Sequence, residues 1–250
     1  MMMSASNQTI LACDIDGTLV LEDSDVQPGL AEFAAHIAEH RAKYLFAVAT
    51  GRTRQLVCDV IEKHRLPVPD VIIASVGTEI FLTGCSQPAA DWSAHISADW
   101  EPGTLAKLQE NVPGIYPQEP EKQGPFKVSF YIDPETYREE LVLAALRKMN
   151  VRATVVQSHQ RFLDLLPTRA SKGAAVRFLC EKYAASLDCA IVCGDSGNDR
   201  DMLLCGARGV VVGNHAPELD ALRGMPQIFF SNQSAAAGVL DGLRHHLGTS

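Results

Sequence analysis

Nowhere in the chain is there a run of about 18 apolar residues, the length a membrane-spanning helix needs. Residues 1–9 are polar and lack an apolar stretch of signal-peptide length. No two cysteines stand in a C-x-x-C spacing, and their number, seven, is odd. Most lie inside apolar runs, so reduced, buried thiols in a cytoplasmic protein are expected, rather than disulfides or a zinc site. Positive charge is also short: 22 Lys and Arg against 30 Asp and Glu leave a net charge of −8. Such a field repels nucleic acid and anionic membrane surfaces, so no partner of either kind is expected. An anionic substrate would need local positive charge, from lysines or from a bound metal. The eight histidines have no metal-ligand spacing with cysteine or glutamate; His36, His40, His245 and His246 fall on expected helices and read as surface residues.

What is present is an α/β rhythm. A hydrophobic content of 46% over 250 residues suffices for one large domain, or a core with a modest insertion. Apolar runs at 9–13, 45–49 and 71–74 alternate with helical patterns, one after Pro28 (Leu30, Phe33, Ala34, Ile37) and one carrying Leu56, Val57, Val60 and Ile61. Short apolar strands between helices predict a parallel sheet covered on both faces. The middle differs. It holds both tryptophans, Trp92 and Trp100, more proline, an alternating strand at 126–132, a helix at 134–149, and strands at 151–157 and 162–166. From Ser171 the first rhythm returns, with a helix at 174–184, strands at 189–193 and 209–212, and a last helix at 235–247. The expected architecture is a Rossmann-like parallel-sheet core formed by 1–83 and 167–250, with an α+β cap inserted at 84–166. Trp92 and Trp100, eight apart, are expected in the cap's own core.

Four polar motifs fall at strand or helix ends, where open α/β sheets bind ligands. Asp14 and Asp16 flank Ile15 after the first strand; side chains two apart on an extended segment point the same way. Two carboxylates there repel unless a cation separates them or one is protonated. A plain Asp-Gly turn would use the same residues, whereas an EF-hand fails because Gly17 stands at the fourth loop position, not the sixth. Gly194-Asp195-Ser196-Gly197-Asn198-Asp199 ends another apolar strand, making a Mg²⁺ site from Asp14, Asp16 and Asp195 plausible. Its Gly-Asp-Ser-Gly resembles a serine-protease nucleophile region, but that chemistry belongs to an all-β context absent from this pattern. Thr50-Gly51-Arg52 offers a hydroxyl and N–H groups to a phosphoryl oxygen, or simply a helix cap. Lys172 begins the helix where the chain re-enters the core.

Taken together, Asp14-Ile15-Asp16-Gly17-Thr18, Thr50, Lys172 and Gly194 to Asp199 resemble the four motifs of the haloacid-dehalogenase-like hydrolases. Ser75-Val76-Gly77-Thr78-Glu79-Ile80, the two tryptophans, Gly124-Pro125-Phe126-Lys127-Val128-Ser129-Phe130, Asp164-Leu165-Leu166-Pro167 and Ala207-Arg208-Gly209-Val210 resemble the sucrose-phosphate phosphatase family within it. The resemblance implies a phosphoric monoester hydrolase in which Asp14 is the nucleophile, Asp16 the general acid and base, and Thr50 and Lys172 hold the phosphoryl oxygens. Mg²⁺ would be bound by Asp14, Asp16 (through its backbone carbonyl) and Asp195, with Asp199 in support. Thr50, Gly51, Arg52, Asn198, Glu79 and Lys127 would contact substrate, the last two through sugar hydroxyls; Gln118 and Asp164 are further candidates. Lys127 could equally be an outward-facing strand residue. The implied reaction is hydrolysis of sucrose 6-phosphate. Mannosylfructose phosphate and glucosylglycerol phosphate are the alternatives, and a sucrose-phosphate synthase-like enzyme is a conceivable partner. A phosphomutase would need a device to protect its phosphate from water, and a silent sugar-phosphate-binding domain would often lack Asp14 or Asp16; this chain has both aspartates.

Overall fold

The computed structural model describes residues 8–21, 24–158 and 160–248, so residues 1–7 of the polar opening stretch lie outside the described residues. The strands are β1 (Thr9–Cys13), β2 (Tyr44–Ala49), β3 (Val71–Ala74), β4 (Glu79–Leu82), β5 (Ile115–Pro117), β6 (Val128–Ile132), β7 (Thr154–Ser158), β8 (Phe162–Leu166), β9 (Ile191–Gly194), β10 (Arg208–Val211) and β11 (Ile228–Phe230). The helices are α1 (Leu30–Glu39), α2 (Arg54–His64), α3 (Ala90–Ile96), α4 (Pro102–Leu105), α5 (Glu139–Lys148), α6 (Lys172–Lys182), α7 (Arg200–Leu203) and α8 (Ala235–Leu247).

The larger sheet has the order β11-β10-β9-β1-β2-β3-β4. Every pairing in it is parallel except β3 with β4. Side-chain alternation explains why β1 is apolar after Thr9: Ile10 and Ala12 pack into one hydrophobic cluster, Leu11 and Cys13 into the other. Both faces are therefore covered, as a parallel sheet requires. From β1 the chain moves to β2 and β3 on one side and, after β8 and α6, returns to β9 on the other. The strand order therefore reverses at β1 and opens a crevice at the carboxyl ends of β1 and β9.

The smaller sheet, β5-β6-β8-β7, is antiparallel and packs α5 and the α4 region over Phe130, Leu163 and Leu165. Its helix starts later than 134 because the Asp133 carboxylate accepts from Glu135 N (3.0 Å) and Thr136 Oγ1 (2.8 Å), which holds that stretch as a turn.

One expectation is corrected by the packing. Trp92 is 1% exposed within the cluster of the larger sheet, donating from Nε1 to the Gly77 carbonyl at 3.1 Å, while Trp100 packs against the smaller sheet's cluster. Helix α3 ends at Ile96, so a helical repeat cannot carry both rings onto one face. Trp92→Ala is expected to cost about 3–5 kcal/mol in urea unfolding, as large-to-small changes in tight cores do. Trp100→Ala, at a half-buried site, is expected to cost about 1 kcal/mol.

The thiols and histidines also depart from expectation. Cys13, Cys180, Cys193 and Cys205 are buried, but Cys85 and Cys189 are exposed; all seven are free. His36 and His246 are half-buried rather than on the surface, meeting Tyr44 Oη and the Gly209 carbonyl at 3.0 Å each.

Candidate active site

Asp14 follows β1, Asp195 follows β9, and Asp199 sits one short turn later, so adjacent parallel strands deliver three carboxylates to one crevice. Each offers an oxygen within 4.8 Å of the others, and all three are buried. Gly17 makes the approach possible. Its φ is +83°, and a Cβ there would lie 2.2 Å from Asp195 Oδ2. Thr18 Oγ1 donates to Asp195 Oδ1 at 3.1 Å. Asp199 folds back under its own strand, its Oδ2 accepting from the backbone N–H of Asp195 (3.0 Å) and Ser196 (3.2 Å).

The cation among these groups is Lys172, the first residue of α6, whose start is capped by Ser171 Oγ accepting from Ala174 N at 3.0 Å. Its Nζ, wholly buried, donates to Asp14 Oδ1 (2.8 Å), Asp199 Oδ1 (2.7 Å) and Asn198 Oδ1 (2.9 Å). Burial alone would lower the lysine, but the Asp14 and Asp199 charges outweigh it and hold the ammonium above its ordinary range. Burial pushes Asp14 well up; Lys172 pulls it back, and Asp199, Asp195 and Asp16 push it up again. Burial and then Asp199 bring Asp195 up to about 8. Fully ionised, three carboxylates against one ammonium would leave two uncompensated negative charges in a dry place, and the raised Asp14 and Asp195 reflect that lack of compensation. That surplus, together with an all-oxygen donor set, fits a hard divalent cation.

Asp16 stands apart from that cluster. Arg52 grips its carboxylate at both oxygens, Nε to Oδ2 and Nη2 to Oδ1 at 2.7 Å each, at the lip of the same cleft. Thr50 is fully buried, and its Oγ1 accepts from Arg52 N at 3.2 Å, which fixes the turn after β2. The cleft, of about 260 Å³, is lined by Asp14, Asp16, Thr50, Gly51, Arg52 and Asn198 from the larger sheet. From the smaller sheet it takes Gln118, Lys127 and Asp164. Lys127 faces inward, 4% exposed, reaching the Gly51 carbonyl at 3.2 Å with Asp164 Oδ1 4.0 Å away. A larger groove, of about 1290 Å³, shares Asn198 with the cleft but none of Asp14, Asp16, Thr50 or Lys172.

Glu79 does not line the cleft. It opens edge strand β4, and its carboxylate is engaged by Ser75 Oγ at 2.9 Å. Conversely, Leu56, Lys122, Ser158 and Phe162 line the cleft without having been singled out in the sequence. Ser158 and Phe162 are the facing ends of the β7–β8 pair, so strand alternation was the one signal that could have found them.

Residues 7–247 match the family model described as sucrose-6F-phosphate phosphohydrolase. The chain is 34% identical over 239 residues to the mannosylfructose-phosphate phosphatase of Agrobacterium fabrum, covering 94% of this chain and 96% of that protein. It is 26% identical over 255 residues to sucrose-phosphatase 1 of Nicotiana tabacum, covering 97% of this chain and 60% of that protein. The fold superposes with a TM-score of 0.88 on the X-ray structure of the sucrose-phosphatase from Synechocystis in complex with sucrose and phosphate. That pair is 28% identical, with 96% of this chain and 98% of the other covered.

Proposed function

Because the chain belongs to the sucrose-6F-phosphate phosphohydrolase family, we propose that this phosphatase removes the phosphate of a fructosyl disaccharide, sucrose 6-phosphate first among them, through an aspartyl phosphate on Asp14. The observation that carries the reading is a single cleft with Asp14 at its floor, ion-paired to the wholly buried Lys172, and the polar side chains Gln118, Lys127 and Asp164 on its other wall. A catalytic carboxylate and a hydroxyl-recognising wall thus face the same space.

An oxygen of Asp14 attacks phosphorus and the bond to the sugar oxygen breaks. Asp16, whose two oxygens accept from Arg52 in this structure, must let go of Arg52 and take up a proton from solvent to act as the acid. It then gives that proton to the leaving oxygen and takes one from the water that hydrolyses the acyl phosphate. Lys172 and Thr50 hold the phosphoryl oxygens as charge shifts onto them. Before that release, Arg52 keeps the Asp16 carboxylate at the cleft mouth. Mg²⁺, held by Asp14, Asp195 and Asp199 with the Asp16 carbonyl, would neutralise charge on the transferring group. The cap that selects the sugar is the segment inserted between 84 and 166; the packing of Trp92 and Ile96 in the larger cluster supports starting it past them, at about residue 97. Free thiols support a cytoplasmic setting, and a synthase joining two sugar units would supply the substrate.

Identity of 34% to the Agrobacterium enzyme favours mannosylfructose phosphate as the second reading. Phosphate release from sucrose 6-phosphate, mannosylfructose phosphate, glucosylglycerol phosphate, glucose 6-phosphate and fructose 6-phosphate, each with Mg²⁺ and with EDTA, separates them. The expected result is Mg²⁺-dependent turnover of one disaccharide phosphate. Turnover of the monosaccharide phosphates at equal kcat/KM would reject disaccharide recognition. Lys127→Met is expected to raise KM for the preferred sugar about 10–100-fold, the usual cost of a lost buried charged contact, with kcat falling less.

A further inference from the structure

Asn214, in the loop after β10, has no part in substrate contact, yet both ends of its amide are used. Nδ2 donates to the Gly17 carbonyl at 2.7 Å, and Oδ1 accepts from Ala235 N at 2.8 Å, the first residue of α8. Two residues on, Ala216 N donates to the Asp195 carbonyl at 2.7 Å. The same short loop is thereby bonded to the backbone of both acidic loops, the one after β1 and the one after β9. Gly17 is the residue whose lack of a Cβ leaves room for the Asp195 carboxylate, and Thr18 beside it donates to that carboxylate. The other anchor is Ala235, fully buried so that its N–H needs a partner, with a φ of +49° that residues other than glycine rarely adopt.

We infer that Asn214 is a positioning residue for the divalent cation: by tying Gly17 to the start of α8, it fixes the separation of the Asp14 and Asp195 loops. The inference rests on the metal reading given above. Partners one step behind the ligands commonly set metal affinity by about 10–100-fold when removed. A ligand pair held on two strands is preorganised only if their loops cannot drift; the Asn214 side chain ties the Asp14 loop to the start of α8, and Ala216 N in the same loop holds the Asp195 loop.

The test is calorimetric titration of Mg²⁺ into the purified chain, for the parent, Asn214→Ala and Asn214→Asp, followed by steady-state kinetics at saturating Mg²⁺. Binding by the parent establishes the metal reading; its absence would reject that reading independently of the variants. With the parent binding, Asn214→Ala is expected to raise the Mg²⁺ Kd about 10–100-fold, while KM for the sugar phosphate at saturating Mg²⁺ stays within about twofold. Asn214→Asp keeps the acceptor for Ala235 and so preserves the start of α8, but it loses the donor to Gly17. It is expected to bind Mg²⁺ at least tenfold more weakly than the parent despite its added negative charge, which by itself would attract the cation. Parent-like Mg²⁺ affinity in Asn214→Asp would overturn the inference, because only the tether to α8 would then matter. If Asn214→Ala proves unfolded, the Asn214→Asp titration alone decides the question.

Discussion

Asp14→Asn is expected to reduce phosphate release by a factor on the order of 10⁴ or more, as loss of a covalent nucleophile does. The same change is expected to leave the metal-free fold at least as stable as the parent. Asp14 is buried beside Asp195 and Asp199 with a single ammonium among them. Asparagine keeps a carbonyl oxygen for Lys172 and removes a carboxyl whose ionised form burial and the neighbouring acids already disfavour. In EDTA near neutral pH the variant should therefore melt at or above the parent's temperature, and addition of Mg²⁺ should raise its melting point less. A chain that loses activity and gains metal-free stability at one position carries the usual mark of a site built for chemistry. Thermal melts in EDTA check this; a fall of several degrees in the variant would mean that Asp14 is chiefly a structural partner of Lys172.

Lys172→Met should have the larger effect on folding. Without the ammonium, three buried carboxylates face one another uncompensated, and removing one partner of a buried ion pair typically costs about 3–5 kcal/mol. The pH dependence of that penalty has a definite sign. Asp195 is raised to about 8 in the folded chain, against roughly 3.9 for an unperturbed aspartate. A carboxyl that holds its proton more tightly when folded contributes stability fully present below about pH 4 and lost as pH rises through about 8. Protonation thus relieves the repulsion that Lys172 otherwise offsets. In EDTA, the gap between parent and Lys172→Met is expected to be widest near pH 8 and to narrow toward pH 5. Mg²⁺ at pH 8 should narrow it as well. Urea unfolding at the two pH values measures the gap, and a penalty independent of both pH and Mg²⁺ would contradict the charge account.

Much of this arrangement was legible because the core strands leave no choice. The runs that became β1, β2 and β9 are apolar at nearly every position, Thr9 and Gly194 apart, since both faces of the sheet are covered, and a polar motif directly after each marks the carboxyl end. The less legible parts have local causes. Strand β4 follows Ser75, Val76 and Gly77, all with positive φ, a turn that residues other than glycine rarely adopt and that no pattern announces. Strand β11 is only three residues long, too short for periodicity to register. Lys172 looked like any lysine at a helix start; its burial depends on β1 and the Asp199 turn converging on it from 158 and 27 positions away in sequence. Glu79 matched a motif, yet its edge strand points it to Ser75 rather than to the cleft. Asn214 gave no signal, because its meaning lies wholly in the two backbone groups that the fold brings to it.

The most direct test is a single turnover with ³²P-labelled disaccharide phosphate in Mg²⁺, quenched in acid at early times and analysed by peptide mapping. The account predicts label on the peptide bearing Asp14, rising before phosphate appears, decaying as phosphate is released, and absent from Asp14→Asn. Phosphate released at the full rate with no label on the chain, or label on a different residue, would contradict it.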